Sequence, residues 1–275
     1  MKITIDPGHS VNMNAGCIKG YFEGNTTFAL AGYLKTALEQ YEGFSVVLTR
    51  SKLQENPSLE ERGKTAISSG SDVFISLHTN AASASARGVV AFHSLKRPDS
   101  KILSEQLAQA VAQTMGTYSR GSLTRLYPGT TKTDYYGVIR AAVRGSGVSY
   151  AFILEHGFHT NPIECAWLNH EANLRKLAEA EAATFAAYFG AVKKELVVKS
   201  DTTQDMTLKL GSKYTVKLTA KQKPNFTVGN GKVLRTKAEQ QLGDNYYLSV
   251  TATGKVGEAA GVYANGKKLF TVKIT

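Results

Sequence analysis

One stretch constrains the fold more than any other: Ser71-Asp72-Val73-Phe74-Ile75-Ser76-Leu77-His78-Thr79-Asn80. Its first seven residues have the bulky, apolar character of a buried strand. Its last three carry groups that bind metals and donate hydrogen bonds. In open α/β sheets the ligand site lies just beyond the carboxyl ends of the strands. A histidine at such an end directs attention to the other strand ends. Ile3-Thr4-Ile5-Asp6 runs into Pro7-Gly8-His9, and Ala151-Phe152-Ile153-Leu154 runs into Glu155-His156-Gly157. A carboxylate outside the strands, Glu23, is expected on the loop before the first helix.

The rest of the chain supplies the layers around these strands. Asn25 is the expected N-cap of a helix presenting Phe28, Ala31, Leu34, Leu38 and Tyr41 at helical spacing. Residues 44–50 read as a second strand, and Ser58 with Glu61 forms a capping box that opens a short helix. A strand at 88–94 and a helix over about 100–115 follow. Residues 116–147 are polar and glycine-punctuated, which predicts a long loop with a short ordered piece at 137–140. A strand at 149–155 then leads to one long alanine-rich helix from Pro162 to about Gly190. Strands alternating with helices argue an α/β domain with a mainly parallel sheet and helices on both faces, over residues 1–192. From Leu196 the helical period gives way to short β-rich runs. Turn signals separate them, including Asn230-Gly231, Gly243-Asp244-Asn245 and Asn265-Gly266. Residues 198–275 are therefore expected to form a small all-β domain, an Ig-like sandwich.

Composition narrows the function classes. The 275 residues are 42% hydrophobic, and no apolar run approaches the roughly 20 residues of a membrane-spanning helix. The first strand begins almost at Met1, so no signal peptide is expected. The two cysteines, Cys17 and Cys165, are far apart and are expected to be free thiols. The net charge of +11 is uneven. Residues 1–195 hold 20 Lys/Arg against 17 Asp/Glu, whereas residues 196–275 hold 13 against 5. Such asymmetry suits an acidic partner for the second segment or a solvated basic face. On charge alone that partner is nucleic acid, anionic lipid or an anionic cell-wall polymer.

Each site candidate has a plain structural reading by itself. His9 can decorate a turn, Glu23 can favour a helix N-terminus, and His78 can pack at a strand end. Glu155 stands out because it follows Phe-Ile-Leu, where a buried carboxylate needs a partner or a raised pKa. His156 is set aside because successive strand residues face opposite ways, and His93, His159 and His170 are read as structural or surface residues. Together, His9, Glu23, His78 and Glu155 offer the three ligands and the separate base of a catalytic zinc site. The dispersed spacing supports a metal hydrolase and nothing finer.

The motifs go further. Ile5-Asp6-Pro7-Gly8-His9, with Glu23 and Asn25 ahead of a helix, resembles the opening of the zinc-dependent N-acetylmuramoyl-L-alanine amidases of the amidase-3 family. Val47-Leu48-Thr49-Arg50, Ser58-Leu59 with Arg62, and Asp72 to Ala81 resemble that family in order and spacing. So do Ile153-Leu154-Glu155, Gly157-Phe158 and Thr160-Asn161-Pro162. Ser10, where members often have glycine, and the length of the 116–147 region depart from the pattern. The resemblance covers residues 1 to about 190 and implies a zinc amidase/exopeptidase-like fold. It implies His9, Glu23 and His78 as Zn2+ ligands, and Glu155 as the general base for cleaving the muramoyl–L-alanine amide of peptidoglycan. Asn80 and Arg140 are the candidates for contacts to substrate carbonyls or carboxylates.

The implied layout, an amidase followed by a wall-binding module, is similar to that of phage endolysins. The expectation is a protein made in the host cytoplasm that reaches the wall after release. Its partners would be peptidoglycan and, through the basic C-terminal domain, anionic wall polymers, with no nucleic acid. The alternatives in origin are a bacterial autolysin represented without its signal and a mother-cell lysis enzyme. The competing readings in function are a zinc peptidase cutting the stem peptide and a non-catalytic peptidoglycan-binding protein.

Overall fold

The computed structural model describes residues 1–145, 147–194 and 197–275, and the chain divides into two compact units, Met1–Lys194 and Glu195–Thr275. The pattern change at Leu196 lies outside the described residues.

In the first unit, β1 (Lys2–Pro7), β2 (Ser45–Leu48), β3 (Val73–Asn80), β4 (Val89–His93), β5 (Ser119–Leu123) and β6 (Tyr150–Phe158) form one sheet in the order β2-β1-β3-β6-β4-β5. Strands β2, β1, β3 and β6 run parallel, while β4 meets β6 antiparallel and carries β5 parallel to itself. The sheet is thus mixed, with a mainly parallel centre. Alternation along β3 assigns its two faces. Ile75 and Leu77 enter one core with α1 (Glu23–Leu38), α3 (Ser100–Met115), α5 (Pro162–Leu168) and α6 (Glu171–Phe189). Phe74 enters a smaller core with α2 (Leu59–Ser68) and α4 (Gly137–Ala142). Burying a side chain of that size contributes roughly 1.5–3 kcal/mol.

Several elements follow directly from local chemistry. Ser58 caps α2 with both hydrogen bonds of a capping box to Glu61. Helix α3 ends at Gly116, which takes the left-handed conformation there. Other elements differ from expectation. Helix α1 begins at Glu23, with Phe22 as its N-cap, so Glu23 is helical and Asn25 is no cap. Instead Asn25 accepts from Asn12 N at 2.9 Å and donates to Asn12 Oδ1 at 3.0 Å, tying down the preceding loop. The expected long loop contains β5 as well as α4. The expected single C-terminal helix is two, because α5 stops at Asn169 and α6 restarts after His170.

The second unit holds β7 (Lys199–Ser200), β8 (Met206–Leu208), β9 (Lys213–Thr219), β10 (Phe226–Val228), β11 (Leu234–Leu242), β12 (Asn245–Ala252), β13 (Ala259–Ala264) and β14 (Lys267–Ile274). They make two four-stranded sheets, β11-β12-β9-β7 and β10-β13-β14-β8. Val216, Leu248 and Val250 from the first share one core with Val262, Phe270 and Val272 from the second. At the β13–β14 hairpin, Asn265 and Gly266 both have positive φ (48° and 79°), as a two-residue type I′ turn requires.

Candidate active site

The site is assembled where β1, β3 and β6 end. Past β1, Gly8 is dictated by its neighbour: a Cβ there would stand 2.4 Å from Cε1 of His78. The His78 ring fills the space that any side chain at position 8 would need. His9 then adopts φ +59°, a left-handed conformation that costs a non-glycine residue roughly 1–2 kcal/mol. Two buried arginines hold it there. Arg62 pairs with Asp6 at 2.8 Å and donates to the carbonyls of Pro7 (2.7 Å) and His9 (2.9 Å). Arg50 donates to the carbonyls of Pro7 (3.2 Å) and Gly24 (2.8 Å), with its guanidinium 4.7 Å from the centre of the Phe28 ring. Asp6 also accepts from Thr49 and Ser76, both at 2.6 Å, which accounts for its burial as a carboxylate. The sequence motifs contained Arg50 and Arg62 without showing this task. Their partners lie up to 56 positions away, beyond any local pattern.

Glu23 comes in from α1 and is 1% exposed. Its Oε1 accepts from Thr79 N at 2.9 Å and lies 2.9 Å from His78 Nδ1. Its Oε2 accepts from Asn14 Nδ2 at 2.8 Å and lies 3.3 Å from His9 Nε2. The helix can approach this closely because residue 24 is glycine, whose Cβ would fall 1.8 Å from the carbonyl oxygen of Ser10. Burial alone raises a carboxyl pKa. Here the hydrogen bonds and charges of His78 and His9 outweigh it and hold Glu23 well below the usual carboxylate range. His78 shows the mirror effect. Burial disfavours its charged form, but the Glu23 carboxylate raises the imidazole to about 9.

His9, Glu23 and His78 each offer a ligand atom, and these atoms lie within 4.8 Å of one another. Two imidazoles and one carboxylate, already converged, are a donor set that fits a divalent metal ion such as those of hydrolytic centres. Glu155 stands directly opposite His78 in the β3–β6 register. It is buried, and its Oε2 has no hydrogen-bond partner among the described residues. Burial pushes its carboxyl up to about 7, against the lowering pull of His78. Asp6, His9, Arg62 and His78 line a cleft of about 500 Å³ together with Ser58, Leu59 and Val138.

The remaining candidates lie outside this cluster. Asn80 turns its Oδ1 to the amide of Ala81 at 2.8 Å. Arg140 donates to the carbonyls of Asp134 and Tyr135, both at 2.7 Å. His156 faces the opposite side of the sheet, where Nε2 lies 3.1 Å from Glu181. His159 is more central than a surface histidine. It is buried, its Nδ1 is 2.9 Å from Thr79 Oγ1, and it comes within 3.9 Å of Glu23. His93 is buried against Ser122 at 2.8 Å.

The sheet, with this cluster at its carboxyl edge, has the architecture of a hydrolase of the amidase class. The chain belongs to the N-acetylmuramoyl-L-alanine amidase family (Amidase_3), whose model matches residues 3–186, within the first unit. It is 30% identical over 181 residues to the N-acetylmuramoyl-L-alanine amidase LytC of Bacillus subtilis (strain 168), a match covering 65% of this chain and 33% of that relative. It is 35% identical over 100 residues to the sporulation-specific N-acetylmuramoyl-L-alanine amidase of the same organism, covering 36% of this chain and 37% of the relative. The matched stretches thus span about a third of each of these curated relatives. Among solved structures, the catalytic domain of CwlV, an amidase from Bacillus (Paenibacillus) polymyxa var. colistinus, superposes with a TM-score of 0.58 at 26% identity. That match covers 69% of this chain and 98% of that one. The N-acetylmuramoyl-L-alanine amidase of Clostridium difficile 630 shares the fold, with a TM-score of 0.59 at 24% identity over 69% of this chain and 96% of its own.

Proposed function

We propose that the chain is a zinc-dependent N-acetylmuramoyl-L-alanine amidase, hydrolysing the amide between the lactyl group of muramic acid and L-alanine in peptidoglycan. The observation that carries this is the convergence of His9, Glu23 and His78 beside a buried Glu155 with a free carboxylate oxygen. The first three residues would hold the ion. When bound, zinc supplies a Lewis acid and lowers the pKa of water to near neutrality. Glu155 takes the proton from the attacking water and returns it to the departing alanine nitrogen. Arg50 and Arg62 keep His9 in its left-handed turn, and Asn14 orients Glu23. Mass spectrometry of purified muropeptides, with and without chelator, tests the reading. The expected product is a free stem peptide beginning with L-alanine, lost on chelation and restored by zinc. Cleavage inside the stem peptide would make the enzyme a peptidase, and intact muropeptides would leave a binding protein.

The second unit supports targeting to the wall. Residues 196–275 hold 13 Lys/Arg against 5 Asp/Glu. On β9, Lys213 and Lys217 share the outward face with Arg235 and Lys237 of β11, through cross-strand partners on β12. Attraction to anionic wall polymers would follow and would weaken as salt screens it. An amidase unit joined to such a module is the layout of an endolysin, which acts on peptidoglycan after release from the cell that made it. Among the described residues no helix is long and apolar enough to cross a membrane. Sedimentation of the full chain and of residues 1–194 with purified walls, at low and high salt, tests the module. Equal binding of both at low salt removes the targeting role.

A further inference from the structure

Arg140, the expected contact for a substrate carboxylate, spends its guanidinium on the carbonyls of residues 134 and 135. A second arginine stands on the segment that Arg140 thereby fixes. The Arg125 guanidinium sits over the Tyr135 ring, 3.7 Å from its centre, and 6.0 Å from that of Tyr136. The support beneath it is firm. Tyr135 N donates to Arg125 O at 2.7 Å, Leu126 bridges to Asp134, and Asp134 accepts from Ser94 and from Leu95 N at 2.8 Å. Tyr136 packs on Phe92 of β4 at 5.1 Å, and Phe92 is the cross-strand partner of Ile153, two residues before Glu155. Val138, two residues after Tyr136, lines the active-site cleft. Arg125 is therefore a preorganised cation on the packed segment that leads from Tyr135 and Tyr136 to the cleft.

It is also unspent. Arg97, Arg120 and Arg140 donate to backbone carbonyls, and Arg144 and Arg175 to glutamates. The ion pairs of this unit among the described residues use cations other than Arg125. An exposed guanidinium held over a ring, with no carboxylate or carbonyl partner among the described residues, presents its fork to a carboxylate from outside the protein. The proposed reaction brings one. The peptide leaving from muramic acid begins with alanine, and the glutamyl residue after it bears an α-carboxyl group that is either free or amidated. Resting on the amidase reading above, we propose that Arg125 is the subsite for this α-carboxylate, so that the enzyme selects acidic over amidated stem peptides.

The test uses the zinc-loaded full chain and two soluble muramoyl tripeptides that differ only in carboxylate or carboxamide at that position. The unchanged protein is expected to show a kcat/KM about tenfold to a hundredfold higher on the acid, the range of a charge-assisted hydrogen bond. Arg125→Ala is expected to bring the acid down to the amide's level and leave the amide as it was. Arg125→Lys, keeping charge but not the fork, is expected to recover part of the difference. An unchanged protein without preference overturns the assignment. So does a variant that loses both substrates equally, which is the mark of a purely structural residue. If neither tripeptide is cut by the unchanged protein, the amidase reading itself falls, and the subsite with it.

Discussion

Strand β6 carries two neighbouring polar residues that face opposite layers, and the two faces solve the burial of charge differently. On the face of α1, α3 and α6, His156 is fully buried and placed between two acceptors, the carbonyl of His78 at 3.1 Å and Glu181 at 3.1 Å. Burial disfavours the charged imidazole, but the Glu181 carboxylate wins and raises its pKa. On the face of α2 and α4, Glu155 has His78 beside it in register, yet its Oε2 meets no donor, and burial raises it. One face gives its carboxylate a histidine on Oε1, although Glu181 Oε2, like Glu155 Oε2, has no partner among the described residues. The other leaves the Glu155 carboxylate beside His78 with no side-chain partner among those residues, which suits the proposed role of picking up and releasing a proton.

Four changes test how sharp that contrast is. The largest effect is expected from His9→Ala or His78→Ala, which remove one of the three converged side chains proposed to hold zinc. Turnover of muropeptides should vanish and bound zinc, measured by elemental analysis, should drop. Full activity in metal-free protein ends the zinc reading. Next, Glu155→Gln should lower kcat by about 10²–10⁴-fold while zinc stays bound. Loss of the metal in that variant would make Glu155 a ligand instead. The opposite face should respond in the reverse sense. Glu181→Ala breaks the fully buried His156–Glu181 pair, so denaturant titration should show about 3–5 kcal/mol lost, with turnover per folded molecule kept. If activity falls and stability does not, the two faces are not separate.

The smallest effect concerns pH. Glu155 rises from 4.5 to about 7 on folding, so between those values the folded metal-free protein binds more protons than the unfolded chain. Stability from this group is fully present below 4.5 and lost as pH climbs through 7. Metal-free Glu155→Gln should lack that slope and exceed the unchanged protein above pH 7 by about 3 kcal/mol. Parallel pH–stability curves for the two proteins refute the buried, raised carboxyl.

The strand ends that build the site were legible because they pair apolar runs with abrupt polar termini, and α2 was legible because Ser58 and Glu61 advertise its start. What escaped lacked a local signal. Strand β5 reads Ser-Arg-Gly-Ser-Leu, with no apolar alternation, and exists because β4 pairs with it at the sheet edge. Strand β11 is exposed from Arg235 to Leu242, so no hydrophobic face marked it. The break between α5 and α6 falls at Asn169-His170 within an otherwise uniform helical composition. Glu23 reads as a loop residue in the sequence because Phe22, the N-cap, makes no side-chain capping bond to mark the helix start. The tasks of Arg50 and Arg62 depend on carbonyls brought close only by the finished fold. The family motifs named these positions; only three-dimensional proximity explains them.

The ring of His78 resting where Gly8 has no side chain has a consequence for anyone reshaping this protein. Neighbouring strands here are one inseparable part, a missing methyl on the first and an imidazole on the third. Grafting the centre onto another sheet by copying its histidines and glutamates alone would install a ligand with nowhere to lie. The transplant must carry the gap as well as the groups.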